Sequence, residues 1–345
     1  MVGPTISRCV GPKVTSRAIS TYTIAGFTGY AAANVIGVAL ATAWQLTLGE
    51  RLIAFFAPPL AFIVVVTIAS AIAGRERIVF YQTTCAGIAA VVIAGLLLDV
   101  RVTRLVDVAT LGIGMFLVFG RIGCLSVACC HGSLGRGVVY GPRHVAVGFW
   151  ARWSGRALWP VQAVEAAASA ALVVTALVFA RAPGDAAMIY IAGYAAVRFA
   201  LEFVRGDTAR PYARGLSEAQ WVALATAIIC SAWRPGIVTI ALACAIAAAA
   251  AVAIGACSRR ELLLPPHLHE LDLAMTAARD GQRHETSLGV AVSRHDLPDG
   301  RTDWIVSSAH TRWNEALARR LAHAMWPTWE LVVGKSPGVV HVIVG

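Results

Sequence analysis

Charge is what this chain has least of. Only 14% of its 345 residues are Asp, Glu, Lys or Arg, while 58% are hydrophobic and the mean hydropathy is +0.68. A soluble domain carries roughly 25% charged residues, so this chain cannot cover itself with polar side chains. That excludes a soluble nucleotide-binding or barrel enzyme, a nucleic-acid binder and a disulfide-stapled secreted domain. A cleavable signal is also lacking: Met1–Arg17 is polar and basic, and the apolar run behind it is long enough to stay as a span. No internal repeat is evident, no C-x2-C pair occurs, and no histidine precedes His131.

Apolar runs are what the chain does have. A spanning helix needs about 20 mostly apolar residues. Such stretches extend from about Ala18 to Trp44, Leu52 to Ala73, Ile78 to Leu98, Leu105 to Cys130, Pro160 to Ala180, Ala186 to Val204, Ser217 to Trp233 and Ile237 to Ala256. The seventh is short and the eighth is alanine-rich and reads as only moderately hydrophobic. Hydropathy therefore predicts an α-helical polytopic membrane protein with seven or eight transmembrane helices over residues 1–258.

Residues 259–345 read differently, as a small soluble α+β domain. Ser287–Arg294 and Thr302–Ser308 alternate like strands around Pro298-Asp299-Gly300, and Glu330–Val333 and Val339–Val344 do so around Ser336-Pro337-Gly338. Between them, Trp313–Trp326 has the spacing of an amphipathic helix with Leu317 and Leu321 on one face. Residues 1–260 hold 21 Lys and Arg against 9 Asp and Glu, whereas residues 261–345 hold 8 against 10. The basic excess thus belongs to the membrane part, where it meets anionic lipid rather than nucleic acid.

Ionisable residues at membrane depth are functional candidates because their desolvation is costly. Tyr194, Arg198 and Glu202 follow one another at i,i+4, with Arg205 three further on, so all four share a helix face. One carboxylate cannot neutralise two arginines, which leaves positive charge suited to a phosphate. Arg121 stands between Gly120 and Gly123, which admit a lipid or a backbone, and Gly132 lies downstream. Gln162 and Glu165 face inward from a helix that opens at Pro160. Asp107 is expected to cap its own helix, Ser217 to be an N-cap and Trp221 an interface anchor. Cys124, Cys129, Cys130 and His131 carry metal-ligand atoms. Adjacent cysteines diverge on a helix, however, and zinc-type pairing is absent, so neither a metal nor a cofactor is expected.

Four blocks in order carry a family resemblance: Gly120-Arg121-Ile122-Gly123 with Gly132; Pro160-x-Gln162-x-x-Glu165; Tyr194-x3-Arg198-x3-Glu202-x2-Arg205; and Gly215-Leu216-Ser217-x2-Gln220-Trp221. Together they resemble the prolipoprotein diacylglyceryl transferase family. The resemblance implies a multi-pass enzyme of the bacterial inner membrane. Such an enzyme moves diacylglyceryl from phosphatidylglycerol to the lipobox cysteine thiol in a prolipoprotein signal peptide, releasing glycerol phosphate. On that reading Arg121 and Arg198 act on the lipid phosphate with Arg205, Glu202 orients Arg198, and Tyr194 donates to an ester or phosphate oxygen. Gln162, Glu165, Gly120, Gly123 and Gly132 complete the substrate site. His131 is the nearest imidazole to act as base, with a thiolate favoured by the basic site as the other route. The chain departs from the family pattern at four places. A third-span histidine is missing, with Tyr81 near its place, Cys124 and Cys129 stand where Asn and Glu are usual, and Trp159 replaces a His. A non-catalytic lipid-binding protein, or a transferase with another acceptor, fits the same scaffold.

Orientation is read two ways. Positive-inside counting, which includes Arg8, Lys13, Arg17, Arg75 and Arg77, favours a cytoplasmic N-terminus. The resemblance implies the opposite and places the loop Gly132–Leu158 outside. Arg136, Arg143, Arg152 and Arg156 of that loop are then explained by attraction to anionic phospholipid.

Overall fold

The computed structural model describes residues 20–74, 79–208 and 210–345. The basic start of the chain, Cys9, Arg75, Arg77 and the first residues of the spans expected from Ala18 and Ile78 lie outside them. Eight long helices form the membrane part: α1 Thr21–Ala43, α2 Leu48–Ala73, α3 Phe80–Leu97, α4 Val102–Ser126, α5 Val161–Phe179, α6 Asp185–Leu201, α7 Glu218–Trp233 and α8 Ile237–Gly255. Seven of them, all but α7, are long and apolar enough to cross a membrane. The chain is a polytopic helical membrane protein with a small C-terminal sheet domain.

The moderate hydropathy expected of α8 needs correcting, while the shortness expected of α7 is found. Helix α8 has a mean hydropathy of 2.7, the highest of the seven, rather than a moderate one. Helix α7 has 16 residues, about 24 Å at 1.5 Å per residue, which is short of the roughly 30 Å hydrocarbon core. Most helices turn Leu, Ile, Val and Phe outward, as α2 does with Leu52, Phe56, Leu60, Ile63 and Ile72. Such faces suit lipid tails, and the bundle therefore needs few buried residues per helix. Helix α4 is the exception: it packs against α1, α2, α3, α5 and α6 and buries half of its span.

The helix ends are fixed by specific polar contacts. At one end of the bundle, Thr47 and Glu50 form a capping box at the start of α2, and Arg101 Nε donates to the buried Glu50 carboxylate at 2.7 Å. Asp107 sits in the second turn of α4 and does not cap its own helix. Its buried carboxylate accepts from the backbone N–H groups of Gly184 (2.7 Å) and Ala187 (2.8 Å), and so caps α6. Arg234, just past α7, pairs there with Asp185 at the start of α6. At the opposite end, Thr21 of α1 bonds Ser126 of α4 at 2.9 Å, and Ser217 and Gln220 form the capping box of α7. Gly215 takes φ +78° beside Cys257, just beyond α8, where any side chain would collide. Successive helices therefore run in opposite directions.

Between α4 and α5 the chain forms a small hairpin of β1 Leu134–Val139 and β2 Ala157–Leu158, and before α7 another of β3 Tyr212–Ala213 and β4 Leu216–Ser217. The tail forms an antiparallel sheet, β5 Arg283–Glu285, β6 Val290–Asp296, β7 Thr302–Ser308, β8 Glu330–Val333 and β9 Val339–Val344, in the order β5-β6-β7-β9-β8. Helices α9 Pro265–Ala277 and α10 Glu315–Met325 pack with the sheet, Leu317 and Leu321 of α10 inward. This core runs on into the α4–α5 loop: Leu271, Met275, Val306 and Met325 share one buried cluster with Tyr140, Phe149, Trp153 and Leu158.

Candidate functional site

The end of the bundle where α4, α6 and α8 finish and α5 and α7 begin collects the buried charges. Their hub is Glu165, one turn into α5 and fully buried. Three guanidiniums from two other segments surround its carboxylate. Arg121 Nε of α4 stands 2.9 Å away, Arg198 Nη1 of α6 at 3.3 Å and Arg205 Nη1 at 3.7 Å. Tyr194 donates its hydroxyl to Glu165 Oε1 at 2.6 Å. The i,i+4 spacing does bring Tyr194 and Arg198 to one face, and the α4 and α5 motifs meet them there.

A second carboxylate continues the network. Helix α6 tightens at its end into a 3-10 turn, Glu202–Val204. Glu202 Oε1 holds Arg198 Nη2 at 2.6 Å and lies 3.8 Å from Arg205 Nε. Sequence reasoning missed two partners here. Asp207 accepts from Arg205 Nε at 2.9 Å and from Arg210 Nε at 3.1 Å, and Arg210 also pairs with Glu202. The signal was an acid and a base three residues apart just after Arg205. Ser217, expected to be an N-cap, is one, but its hydroxyl also donates to Glu202 Oε2 at 2.8 Å. Burial alone would raise the Asp207 carboxyl; Arg205 and Arg210 beside it hold it well below the usual carboxylate range.

Four arginines therefore face three carboxylates, one positive charge in excess. Both terminal nitrogens of Arg205, Nη1 and Nη2, are buried without a hydrogen-bond partner among the described residues, and so is Gln162 Oε1. Native interiors rarely leave such polar atoms unsatisfied.

The remaining expected site residues frame this cluster. Gln162 donates to the Cys129 carbonyl at 2.8 Å and to the Tyr140 hydroxyl at 3.3 Å, holding the segment after α4. His131 is buried, with its ring edge-on to Phe149 and Trp153 and Nδ1 2.9 Å from the Gly132 carbonyl. Burial lowers the His131 pKa against the pull of Asp207 and of that carbonyl, so the ring is neutral at pH 7. The glycines have separate roles. Gly120 has open space where a side chain would be, Gly123 lies against Tyr22 and Ala25 of α1, and Gly132 is crossed by the Trp159 backbone. A bridge between Gly132 and Arg205 ties the end of α4 to the end of α6. Tyr81, at the place of the expected third-span histidine, gives its hydroxyl to Glu218. Trp221 donates to the Ala213 carbonyl at 3.1 Å.

The loop arginines are only partly free for lipid. Arg152 donates to Asp272 and to the Met325 carbonyl, and Arg156 to the carbonyls of His323 and Ala324, all in the tail domain. Lipid attraction is therefore not what positions these two; only Arg136 and Arg143 of the group are exposed.

A multi-pass bundle with an arginine-rich, carboxylate-braced site at one end of its helices defines the class of protein. Residues 15–234 match the family of prolipoprotein diacylglyceryl transferases, and the chain belongs to that family. Relatives from two Dehalococcoides mccartyi strains, each named phosphatidylglycerol–prolipoprotein diacylglyceryl transferase, are 36% identical over 126 residues. That stretch covers 35% of this chain, and the chain spans about half (46%) of the length of these curated relatives.

Proposed function

We propose that this protein is a phospholipid-dependent transferase that moves diacylglyceryl from phosphatidylglycerol to the lipobox cysteine thiol of a prolipoprotein, in the inner membrane of a bacterium. The observation that carries the reading is the surplus positive charge, with Arg205 Nη1 and Nη2 buried and without a hydrogen-bond partner among the described residues. A phosphodiester supplies the missing anion, and guanidinium matches it bidentately. Family membership and the names of the relatives support the substrate assignment.

In this reading Glu165, Glu202 and Asp207 hold the guanidiniums apart and aimed before lipid enters. Pre-set cations favour the leaving glycerol phosphate as its charge develops, because no reorganisation is needed at that moment. The acceptor sulfur forms a bond to the diacylglyceryl carbon as the bond from that carbon to the phosphate oxygen breaks. The thiol proton passes to a base, for which the neutral His131 imidazole is suited. Gly120, open to its surroundings, gives the lipid a path to Arg121.

The test is complementation of a strain depleted of its own transferase, with mass spectrometry of a reporter lipoprotein. The wild-type chain is expected to restore growth and add diacylglyceryl to the reporter cysteine, and Arg198→Ala to abolish both while the protein remains inserted. Unmodified reporter alongside well-inserted wild-type protein would overturn the reading. It would favour the lipid-binding or other-acceptor alternative, to which the Tyr81 substitution points.

A further inference from the structure

The three cysteines after Arg121 were set aside as metal ligands on the ground that neighbours diverge on a helix. The structure removes that ground. Helix α4 stops at Ser126, and Cys129 and Cys130 lie beyond it. Ala128 and Cys130 both take left-handed backbone, with φ of 58° and 54°, a conformation that L-residues rarely adopt. The resulting turn folds the vicinal pair back over the helix end. The Sγ atoms of Cys124, Cys129 and Cys130 then lie within 4.8 Å of one another.

We propose that Cys124, Cys129 and Cys130 form a binding site for one thiophilic d10 cation, zinc or cuprous copper, beside the arginine cluster. The geometry is close to what such an ion needs: at a metal–sulfur distance of about 2.3 Å, tetrahedral ligands stand about 3.8 Å apart. Movements of under about 1 Å close the set around an ion. Three sulfur ligands select soft cations over magnesium or calcium, which prefer oxygen. The frame is fixed on both sides, as the Cys129 carbonyl is held by Gln162, the His131 carbonyl by Gly206 N–H, and Ser133 N–H by the Val204 carbonyl.

Binding breaks three S–H bonds, forms three metal–sulfur bonds and releases three protons to solvent. No oxidant or reductant is required. A zinc tris-thiolate carries one net negative charge and a cuprous one two. Arg121, one turn before Cys124 on α4, attracts that negative charge. The fourth position is left to water or another small ligand. This inference does not depend on the transferase reading.

The experiment uses the full chain purified in detergent without chelator, with zinc and copper counted by elemental mass spectrometry. About one ion per chain is expected, and which metal is found distinguishes the two ions. Metal-stripped protein titrated with cobalt(II) should develop a thiolate-to-cobalt charge-transfer band and tetrahedral ligand-field bands that saturate near one equivalent. Cys124→Ser, Cys129→Ser and Cys130→Ser should each weaken cobalt binding at least tenfold, while Cys230→Ser and Cys244→Ser leave it unchanged. Monodisperse, metal-free wild-type protein that gives no cobalt spectrum would overturn the proposal, whatever the variants do. So would full metal content in the triple serine variant, or a disulfide among the three cysteines in protein purified under nitrogen.

Discussion

Glu165→Gln tests the architecture of the site without touching its shape. The side chain keeps its volume, and its amide oxygen still accepts from Tyr194, so the change is one of charge. Glu165 faces Arg121, Arg198 and Arg205 at 2.9, 3.3 and 3.7 Å. Each attraction is worth about 5 kcal/mol at an effective dielectric of 20. The gross loss is largely offset because a buried carboxylate no longer has to be desolvated. Breaking one side of a buried ion pair nets about 3–5 kcal/mol of destabilisation. For a bundle of this size each kcal/mol moves the melting temperature by about 2–4 °C, so the midpoint should fall by about 6–20 °C. The assay is thermal unfolding of purified protein in one detergent, followed by tryptophan fluorescence. Adding Arg121→Met to Glu165→Gln restores the cluster to a single excess positive charge and should recover part of the loss. A midpoint for Glu165→Gln within about 2 °C of wild type would refute the account, because the three guanidiniums would then be hydrated rather than held by one carboxylate.

Two further predictions concern the tail. Asp272 accepts from Trp150 Nε1 at 2.6 Å and from Arg152 Nε at 2.5 Å, and charged hydrogen bonds of this kind contribute about 1.5–3 kcal/mol. Asp272→Asn should raise hydrogen exchange in the loop Gly132–Leu158 by about 10- to 150-fold; unchanged protection there would mean that the contact contributes nothing. His267 is buried between the Leu262 carbonyl and Thr286, and burial lowers its pKa. The unfolded tail then binds a proton that the folded tail refuses, so stability is complete above about pH 6.5 and falls as pH drops below it. The slope attributable to this one group is at most about 1.4 kcal/mol per pH unit. His267→Gln should flatten the acid limb of a pH series of tail unfolding, and an unchanged limb would assign it to other groups.

Length and hydropathy made the spans legible because lipid-facing helices are apolar over most of their surface and need little else. The tail strands at 302–308, 330–333 and 339–344 were legible for the complementary reason, an alternation that fits a half-buried sheet. The helix Pro265–Ala277 was not, because His267, His269, Glu270 and Asp272 interrupt its apolar pattern and make their partners elsewhere in the tail or the loop. In the site, the Tyr194–Arg198 face could be read from one helix, whereas Glu202 and Arg205 lie past its end at Leu201, in a 3-10 turn and the extended residue after it. The hub role of Glu165 could not, since it depends on how α4, α5 and α6 meet. Asp107 shows the same limit: its position in sequence suggested a cap, and only packing reveals that the capped helix is α6.

The contact between the loop and the tail also constrains how the chain threads the membrane. Trp153 donates to the Ala324 carbonyl at 3.0 Å and shares a buried core with Leu271 and Met325, so loop and tail occupy the same end of the bundle. Between them lie α5, α6, α7 and α8, and a chain that leaves and returns to one side crosses an even number of times. Helix α7, though short, must then cross with the other three. It is tied to α6 at both extremities, by Ser217–Glu202 at one end and Arg234–Asp185 at the other. A 16-residue span is accommodated by local thinning of the bilayer at a cost of fractions of a kcal/mol per Å. The same contact alters the charge count. Arg152 and Arg156 are positioned by Asp272 and by the tail carbonyls, so they carry no information about which side of the membrane the loop faces. With them removed, Arg136 and Arg143 are the only basic residues of that loop left in the count, so the loop's own share of the charge objection to an outward-facing site falls from four arginines to two.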